Sequence, residues 1–166
     1  MLFRSMNRRA FQTVSSHTFN LAQRYGRHLS IVMLDSDSLK KVNDAYGHEA
    51  GDELLKMMVQ QAQGELRRPD LLARYGGDEF VLLLPDTNAD GAKLTAERIR
   101  ERIASKPLVL GREAVTVTAS MGIATFPDHG KDYDSVFEAA DNALYVSKTE
   151  GKNRVTVAGP PKPASL

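Results

Sequence analysis

The sequence lacks cysteine, a long apolar run and any large excess of charge of one sign. Without cysteine, disulfide bonds and thiolate metal sites are excluded. The 22 basic and 21 acidic residues leave a net charge of +1, so the chain has no electrostatic footprint for nucleic acid. No apolar run approaches the roughly 18 residues that a membrane helix needs, and the charged N-terminus does not resemble a signal peptide. We therefore expect a cytoplasmic domain with neither a nucleic-acid partner nor membrane contact.

The 166 residues suffice for one domain with a hydrophobic core. Helical and strand patterns alternate along the chain, and Gly76-Gly77 between two apolar runs predicts a β-hairpin. This interleaving, with at least one antiparallel strand pair, predicts an α/β sandwich with a mixed or antiparallel sheet. Apolar spacing predicts helices over 6–25, 38–46, 52–66, 92–103 and 135–148, and strands over 30–34, 71–75, 79–84, 115–118, 120–125 and 155–157.

Three local features accompany these elements. Leu94 is expected on the apolar face of its helix. Ser135 and Glu138 have the spacing of a capping box at a helix start. The tail 159–166 contains three prolines, and we expect it to be disordered.

Two pairs of acidic residues occur, one after a predicted strand and one after a predicted turn. Asp35 and Asp37 end the apolar strand 30–34, and Asp78 and Glu79 follow the glycine pair. If the two strands are neighbours, these carboxylates converge and repel one another. A divalent cation relieves that repulsion, and magnesium is typically held by one or two carboxylates with substrate phosphates and waters. The acids therefore predict a metal–nucleotide site.

Each of these signals also has an ordinary structural explanation. The glycine pair can be only a turn, and Asp35 and Asp37 can be loop acids. A calcium-binding loop is excluded because Leu39 and Lys40 stand where it requires Asp or Asn and then Gly. No phosphate-binding P-loop motif is present. The two acidic pairs together favour the metal site.

The segment RYGGDEF at 74–80 resembles the signature of the GGDEF domain family, the diguanylate cyclases. The resemblance extends over 10–157, because five other segments resemble the family's blocks in the right order. It implies a central, mostly antiparallel sheet wrapped by helices, like the palm of polymerases and nucleotidyl cyclases, and a catalytic domain over 1–158. The five segments are LDSDSLKKVNDAYGHEAGDELL, AERIR, VTVTASMGIATFP, ADNALYVSK and GKNRV.

The family resemblance also implies an activity. Members condense two GTP molecules into cyclic di-GMP and two pyrophosphates, as the 3′-hydroxyl of each GTP attacks the α-phosphate of the other. A homodimer would form during catalysis. Mg²⁺ or Mn²⁺ would serve as cofactor, two per GTP, because two metals about 3.5–4 Å apart stabilise attacking and leaving oxygens together. Two alternatives remain: a catalytically silent domain that binds cyclic di-GMP or GTP, and a structural dimerisation module.

Site residues follow from the resemblance by motif position. Asp35, the main-chain carbonyl of Ser36 and Asp78 would bind metal, with Asp78 also the general base. Glu79 would lie beside the metal and substrate. Three lysines would face the phosphates, although helix-end and surface lysines also occur without function. These are Lys40, Lys148 and Lys152.

A guanine pocket is implied by the segment between 39 and 55. Asn43 and Asp52 match the family's guanine-reading pair, and amide and carboxylate groups suit the acceptors and donors of that base. His48 matches another substrate contact, and Leu39 and Leu55 would line an apolar wall. Plain core leucines and a structural histidine are the ordinary explanations of these three residues.

Two departures from the family pattern stand out. Lys152 replaces the usual arginine and offers a point charge without a bidentate fork, so phosphate binding would be weaker. The segment 1–9 is an eroded form of the family's opening motif, which joins the catalytic domain to an upstream regulatory one. That erosion leaves the N-terminal capping in question. We expect an excised output domain of a longer membrane-bound or sensor protein.

A second site is implied by Arg67 and Asp70, which have the Arg-x-x-Asp spacing of the family's inhibitory site for its own product. Arg67 would contact phosphate or guanine, Asp70 would accept from guanine, and Arg98 would add a contact from a partner domain. The ordinary explanation is a loop ion pair worth about 0–1 kcal/mol.

Overall fold

The computed structural model describes residues 6–161 and 163. Five helices and seven strands are present in this part of the chain. The helices are α1 (Arg8–Tyr25), α2 (Leu39–Tyr46), α3 (His48–Gln63), α4 (Ala89–Ser105) and α5 (Tyr133–Thr149). The strands are β1 (Leu29–Ser36), β2 (Leu71–Gly76), β3 (Glu79–Pro85), β4 (Leu108–Leu110), β5 (Glu113–Val115), β6 (Ala119–Phe126) and β7 (Val155–Val157).

The main sheet has the strand order β2-β3-β1-β6-β7. All neighbouring strands are antiparallel except β6 and β7, which are parallel. Strands β4 and β5 form a separate hairpin. The prediction of a mostly antiparallel sheet flanked by helices is confirmed.

The central strand β1 explains why helices cover both faces of the sheet. Ile31 and Met33 point into one apolar cluster, which α1 and α5 cover. Val32 and Leu34 point into the other, which α3 and α4 cover. Alternate residues of a strand face opposite sides, so a strand buried on both faces reads as the continuous apolar run seen here. The only carboxylate of β1, Asp35, lies near the C-terminal end of the strand.

Helix α5 lies unusually close to β6. A Cβ at Gly122 would lie 2.1 Å from the backbone nitrogen of Leu144 and 2.3 Å from the carbonyl oxygen of Ala140. Neither backbone atom can move aside without shifting the helix, so only glycine fits at this crossing. The close approach places the C-terminal end of α5 over the end of β1.

The structure shows how α1 is capped, and it corrects the predicted start of α3 and the predicted position of Leu94. Asn7 caps α1 by accepting from the backbone N–H of Ala10 (2.8 Å), which answers the question about capping, and Gly26 ends the helix at a φ of 63°. Helix α3 begins at His48, earlier than predicted. Leu94 is 54% exposed on α4, so its placement on the apolar face was wrong.

The cap of α5 also differs from the prediction. Asp132 is the N-cap, and its side chain accepts from the backbone N–H of Ser135 (2.8 Å). The hydroxyl of Ser135 accepts in return from the backbone N–H of Asp132 (3.3 Å). Ser135 is therefore the third helical residue of the capping box, and Glu138 has no part in it.

The predicted strand 115–118 is largely wrong. Only Val115 belongs to a strand, β5, and residues 116–118 form none. Thr118 instead binds Asp37: its carbonyl accepts from the Asp37 backbone N–H (3.0 Å) and its hydroxyl donates to the Asp37 carboxylate (2.9 Å). These contacts extend the end of the sheet toward the acids.

The two ends of the chain were also the subject of predictions. Of the joint 1–9, residues 1–5 lie outside the described residues, while Met6 pairs with Ala73 as an isolated bridge. Of the tail 159–166, positions 162 and 164–166 lie outside them, and 159–161 and 163 carry no helix or strand. None of the helices described combines the length and apolar character needed to cross a membrane.

Candidate active site

Three carboxylates meet where β1 ends and β3 begins. Asp35 lies opposite Glu79 in the antiparallel register. Asp78 precedes Glu79 in the turn between β2 and β3, where Gly77 adopts a φ of 52°. The guanidinium of Arg74 donates to the carbonyl of Gly77 from Nε (2.9 Å) and Nη2 (2.6 Å) and so fixes the turn. Asp35 of the first acidic pair therefore lies beside both acids of the second, whereas Asp37 has other partners.

The electrostatics of this cluster suit a cation. Burial raises the pKa of Asp35 to about 7, Lys148 opposes the rise, and Asp78 and Glu79 add to it. Burial also raises the pKa of Glu79, with further contributions from Asp141 and Asp78. A cation would relieve both effects.

The donor atoms also fit a cation of the magnesium type. The Oδ1 atom of Asp35 is buried and has no hydrogen-bond partner among the described residues. Within those residues, no three His, Cys, Asp or Glu side chains form a metal-binding group by themselves. Magnesium takes few carboxylates and completes its shell with substrate phosphates and waters, so one or two of these carboxylates would suffice to hold it.

Lys148 reaches the same place from the last turn of α5. Its Nζ donates to the carbonyl of Ser36 (2.8 Å) and to Oδ1 of Asp37 (2.9 Å), and it lies 3.8 Å from Oδ2 of Asp35. The Ser36 carbonyl, predicted to bind metal, thus already accepts one hydrogen bond. A carbonyl oxygen has two lone pairs and an ammonium three donors, so each group retains capacity for a ligand.

Asp37 has a larger part in the site than the sequence indicated. Its side chain is only 4% exposed. Burial alone would raise its pKa, but hydrogen bonds from Ser120, Lys148, Asn153 and Thr118 hold the pKa of Asp37 below its usual range. The signal in the sequence was the Asp-x-Asp spacing, which puts Asp35 and Asp37 on the same face of an extended chain.

The predicted guanine pocket lies at the packing of α2 against α3. A Cβ on Gly51 would lie 1.9 Å from Oδ1 of Asn43 and 3.0 Å from Cδ1 of Leu39, so the glycine leaves room for both side chains. The Asn43 Oδ1 atom is buried without a hydrogen-bond partner in the described part of the chain. An unpaired buried amide oxygen is costly, which is the condition expected of a ligand-binding group.

The other predicted guanine-pocket residues lie on α3 near Gly51. Asp52 is the next residue and is exposed, and His48, the first residue of the helix, is also exposed. Leu55 is buried and belongs to the apolar cluster under the helix, which agrees with its ordinary explanation as a core leucine. The residues of the predicted guanine pocket therefore lie on two helices packed against each other, α2 and α3.

A basic cavity of about 620 Å³ lies beside the acids. Two predicted phosphate-facing residues, Lys40 and Lys152, are in its wall together with Lys41, which the sequence analysis missed. The adjacent lysines in the sequence were the available signal. The full wall consists of Asp37, Lys40, Lys41, Asp44, Ala45 and Lys152.

In the predicted inhibitory site, Arg67 and Asp70 bind each other. Arg67 donates to the Asp70 carboxylate from its backbone N–H (2.7 Å), Nε (3.2 Å) and Nη2 (2.9 Å), and Asp70 is only 2% exposed. Nη2 also donates to the carbonyl of Pro85 (2.8 Å) and to the hydroxyl of Thr87 (2.9 Å). Arg98 is exposed on α4, and no hydrogen bond or ion pair between described residues joins it to this pair.

Comparison with known sequences identifies close relatives. A family model described as "Diguanylate cyclase, GGDEF domain" matches residues 4–154. Diguanylate cyclase DosC of Escherichia coli is 37% identical over 156 residues, which are 93% of this chain and 34% of that protein. Diguanylate cyclase DgcP of Pseudomonas aeruginosa is 41% identical over 135 residues, 81% of this chain and 20% of that protein. The chain thus spans about a third of the first relative and a fifth of the second.

Solved structures with the same fold cover nearly the whole chain. The GGDEF domain of YfiN from Pseudomonas aeruginosa superposes with a TM-score of 0.89 at 32% identity, over 95% of this chain and 99% of that one. The GGDEF domain of DgcB from Caulobacter crescentus, solved in complex with c-di-GMP, gives a TM-score of 0.87 at 34% identity, over 92% and 91% of the two chains.

Proposed function

Because the chain belongs to the GGDEF domain family, we propose that it condenses two GTP molecules into cyclic di-GMP and two pyrophosphates. The observation that supports this most is the convergence of Asp35, Asp78 and Glu79, with a buried Asp35 oxygen left without a partner. A purely structural module has no need for such a cluster, because repulsion between neighbouring carboxylates destabilises the fold.

The metal site would be formed by Asp35, the main-chain carbonyl of Ser36 and Asp78, with Glu79 beside it. Bound Mg²⁺ or Mn²⁺ would supply Lewis-acid stabilisation of the charge that develops on the reacting phosphate. The raised pKa of Asp35 fits this role, since its carboxylate gains most from a positive partner.

Proton transfer is assigned to Asp78. The attacking 3′-hydroxyl must lose a proton as it bonds to the α-phosphorus, and the pyrophosphate leaves from the opposite side. Asp78 lies in an open turn, since a Cβ on Gly76 or Gly77 would meet no atom within 4 Å. A substrate hydroxyl can therefore approach the carboxylate, and general-base catalysis of this kind contributes about 10²–10⁴-fold.

Binding of the phosphates is assigned to the lysines. Lys148 uses two of its three donors within the protein, and its third would bond to a phosphate oxygen. Lys40 and Lys152 share the wall of the basic cavity. Lys152 would hold the terminal phosphate less firmly than an arginine, because it lacks the bidentate fork.

Recognition of the base is assigned to Asn43 and Asp52. The carboxylate of Asp52 would accept from guanine N1–H and N2–H₂, and the Asn43 amide would serve the acceptors of the base. The unpaired Oδ1 of Asn43 supports this assignment. Leu39 and Leu55 would form the apolar wall, and His48 would contact the substrate from the start of α3.

Catalysis requires two copies of the chain. Each copy has one metal cluster and one guanine pocket, enough for one GTP, whereas the product contains two symmetric bonds. Two domains facing each other about a two-fold axis, with one GTP in each, satisfy this requirement, and such an interface is isologous. The GTP molecules would fill much of it.

Product control is assigned to the exposed edge of Arg67. The Nη1 atom of Arg67 makes no hydrogen bond within the described residues, so one edge of the guanidinium is available to a phosphate or guanine. Asp70 would take part only if its pairing with Arg67 opened, since it is buried. Arg98 would contact the same ligand from a second domain.

The test is incubation of the chain with GTP and magnesium, followed by chromatographic identification of the nucleotide products. Cyclic di-GMP should appear with GTP and not with ATP, and chelation of the metal should stop the reaction. If no product forms while calorimetry still detects cyclic di-GMP or GTP binding, the domain is a silent binding module. If neither product nor binding is found, it is a structural module.

A further inference from the structure

Asp37 connects three separate segments at the edge of the basic cavity. We propose that Asp37 is a positioning residue that holds the two phosphate-binding lysines, Lys148 and Lys152, in place for GTP. The proposal rests on the proposed function, because it concerns how that same site binds the triphosphate.

The first connection is to Lys148. Its ammonium lies 2.9 Å from Oδ1 of Asp37 and donates at the same time to the Ser36 carbonyl. The two contacts fix the position of Nζ, which a flexible lysine side chain would otherwise not hold. Because the Asp37 side chain is 4% exposed, this ion pair is shielded from water and is stronger than a surface pair.

The second connection is to the turn that carries Lys152. Gly151, Lys152 and Asn153 all have positive φ, at 122°, 64° and 46°. For Lys152 this conformation is unfavourable and persists only where the surroundings impose it, whereas asparagine tolerates it. The backbone N–H of Asn153 donates to Oδ2 of Asp37 (3.0 Å), and the N–H of Lys152 donates to the carbonyl of Ser147 (2.9 Å). Asp37 thus helps to hold the strained turn.

The third connection anchors Asp37 to the sheet. The hydroxyl of Ser120 donates to Oδ1 (2.7 Å), and the hydroxyl of Thr118 donates to Oδ2 (2.9 Å). The backbone N–H of Asp37 also donates to the Thr118 carbonyl (3.0 Å). Because both carboxylate oxygens are held from the sheet side, the carboxylate is fixed in position. Its contacts with Lys148 and with the turn of Lys152 then fix the positions of these two groups.

A negative charge in the wall of a phosphate cavity would ordinarily weaken phosphate binding. Asp37 avoids this, because four donors surround its carboxylate. The ammonium of Lys148 offsets the charge of Asp37, and Lys152, on the turn that Asp37 helps to hold, lies in the cavity wall. The arrangement is therefore favourable to a triphosphate only while the carboxylate keeps these partners.

Replacement of Asp37 by asparagine removes the negative charge and nearly preserves the size and shape of the side chain. The amide nitrogen of Asp37→Asn cannot accept a hydrogen bond. If it replaces Oδ1, it faces the ammonium of Lys148, and if it replaces Oδ2, it faces the N–H of Asn153. The two hydroxyls can rotate to adapt, but the ammonium and the backbone N–H cannot become acceptors. One of the two connections must therefore break.

The experiment compares the affinities of the parent chain and Asp37→Asn for GTP and for GMP by calorimetry. GMP shares the base but lacks the β- and γ-phosphates. We expect GTP affinity to fall about tenfold or more, as for a lost charge-assisted contact, with GMP affinity nearly unchanged. Thr118→Val removes one donor but keeps the carboxylate and its contacts with Lys148 and Asn153, so the ratio of GTP to GMP affinity should fall less than in Asp37→Asn. Asp44→Asn, the loss of another acid from the same cavity wall, should not lower that ratio.

A second readout needs no nucleotide. Hydrogen exchange at the Asn153 amide should be faster in Asp37→Asn than in the parent, and Thr118→Val should change it less. If Asp37→Asn does not fold, Asp37→Glu keeps the charge on a longer side chain, and the same two measurements should show a smaller change in the same direction.

Two results would overturn the proposal: equal losses of GTP and GMP affinity, or unchanged Asn153 exchange. Failure of the proposed function gives a different result. In that case the parent forms no cyclic di-GMP, while the exchange at Asn153 still decides whether Asp37 holds the turn.

Discussion

Asp35 at the end of β1 lies directly opposite Glu79 at the start of β3. Paired residues of an antiparallel ladder place their side chains on the same face of the sheet. The carboxylates of Asp35 and Glu79, which are 44 positions apart in the sequence, therefore become neighbours. Asp78 joins them from the turn and contributes to the raised pKa of Asp35. The sheet register therefore creates the charge cluster on which the proposed activity depends.

Replacement of Asp78 by asparagine should leave the fold intact and remove most turnover. Loss of a general base costs about 10²–10⁴-fold, and weaker metal binding adds to it. The matched control is Asp134→Asn, because Asp134 is exposed at the opposite end of α5 from Lys148. Initial rates of cyclic di-GMP formation measure the effect. A rate within a factor of about ten of the parent would contradict the assignment of Asp78.

Replacement of Arg67 by alanine should weaken cyclic di-GMP binding and relieve product inhibition with little change in the initial rate. The physical reason is loss of the exposed guanidinium edge. Arg68→Ala is the control, since Arg68 is an exposed arginine beside it. Calorimetry with cyclic di-GMP gives the affinity, and unchanged affinity in Arg67→Ala would count against this site. Loss of stability is also expected, because the buried Asp70 carboxylate loses its side-chain partner.

Replacement of Gly51 by alanine should raise KM for GTP more than it lowers kcat. The added Cβ would lie 1.9 Å from Oδ1 of Asn43 and would force that amide out of its position. We expect KM to rise about tenfold or more, as when a polar contact with a ligand is lost. Gly91→Ala on α4 is the control, with a nearest contact of 3.1 Å. Equal KM values for Gly51→Ala and the parent would argue against Asn43 as a guanine contact.

The stability of the chain should fall as the pH drops below about 6.5, in part because of His129. Its Nδ1 accepts from the backbone N–H of Thr125 (2.8 Å), which requires the unprotonated ring. Burial lowers the pKa of His129, although Asp128 opposes the shift. The unfolded chain therefore takes up a proton at a higher pH than the folded chain, and acid favours unfolding.

The measurement for His129 is chemical denaturation at pH 8 and pH 5.5. In His129→Asn the side-chain amide oxygen can accept the same hydrogen bond but cannot titrate. This variant should lose less stability between the two pH values than the parent. An identical loss in both proteins would show that His129 contributes nothing to the pH dependence.

The sequence predicted most elements of the fold because its signals were local. The apolar run 30–34 and the glycine pair at 76–77 each determine their element from within a few residues. Errors arose where two local signals compete. Asp132 and Ser135 both suit an N-cap, and only the folded geometry decides that Asp132 accepts and Ser135 completes the box.

The site was predictable in its residue types but not in its connections. The role of Asp37 depends on donors that lie 81 to 116 residues further along the chain, which no local pattern reveals. Arg67 and Asp70 were predicted as a ligand site, yet in the structure they bind each other, because a spacing of three residues also suits an internal pair.

Two copies of this chain should act together on two GTP molecules. The most direct measurement is the specific activity for cyclic di-GMP formation over a hundredfold range of enzyme concentration, compared with a fusion to a dimerising coiled coil at the N-terminus. The activity of the isolated chain should rise with its concentration, and the fusion should be more active at low concentration, releasing two pyrophosphates for each cyclic di-GMP. A flat specific activity, in a sample that light scattering shows to be monomeric with GTP present, would contradict the account.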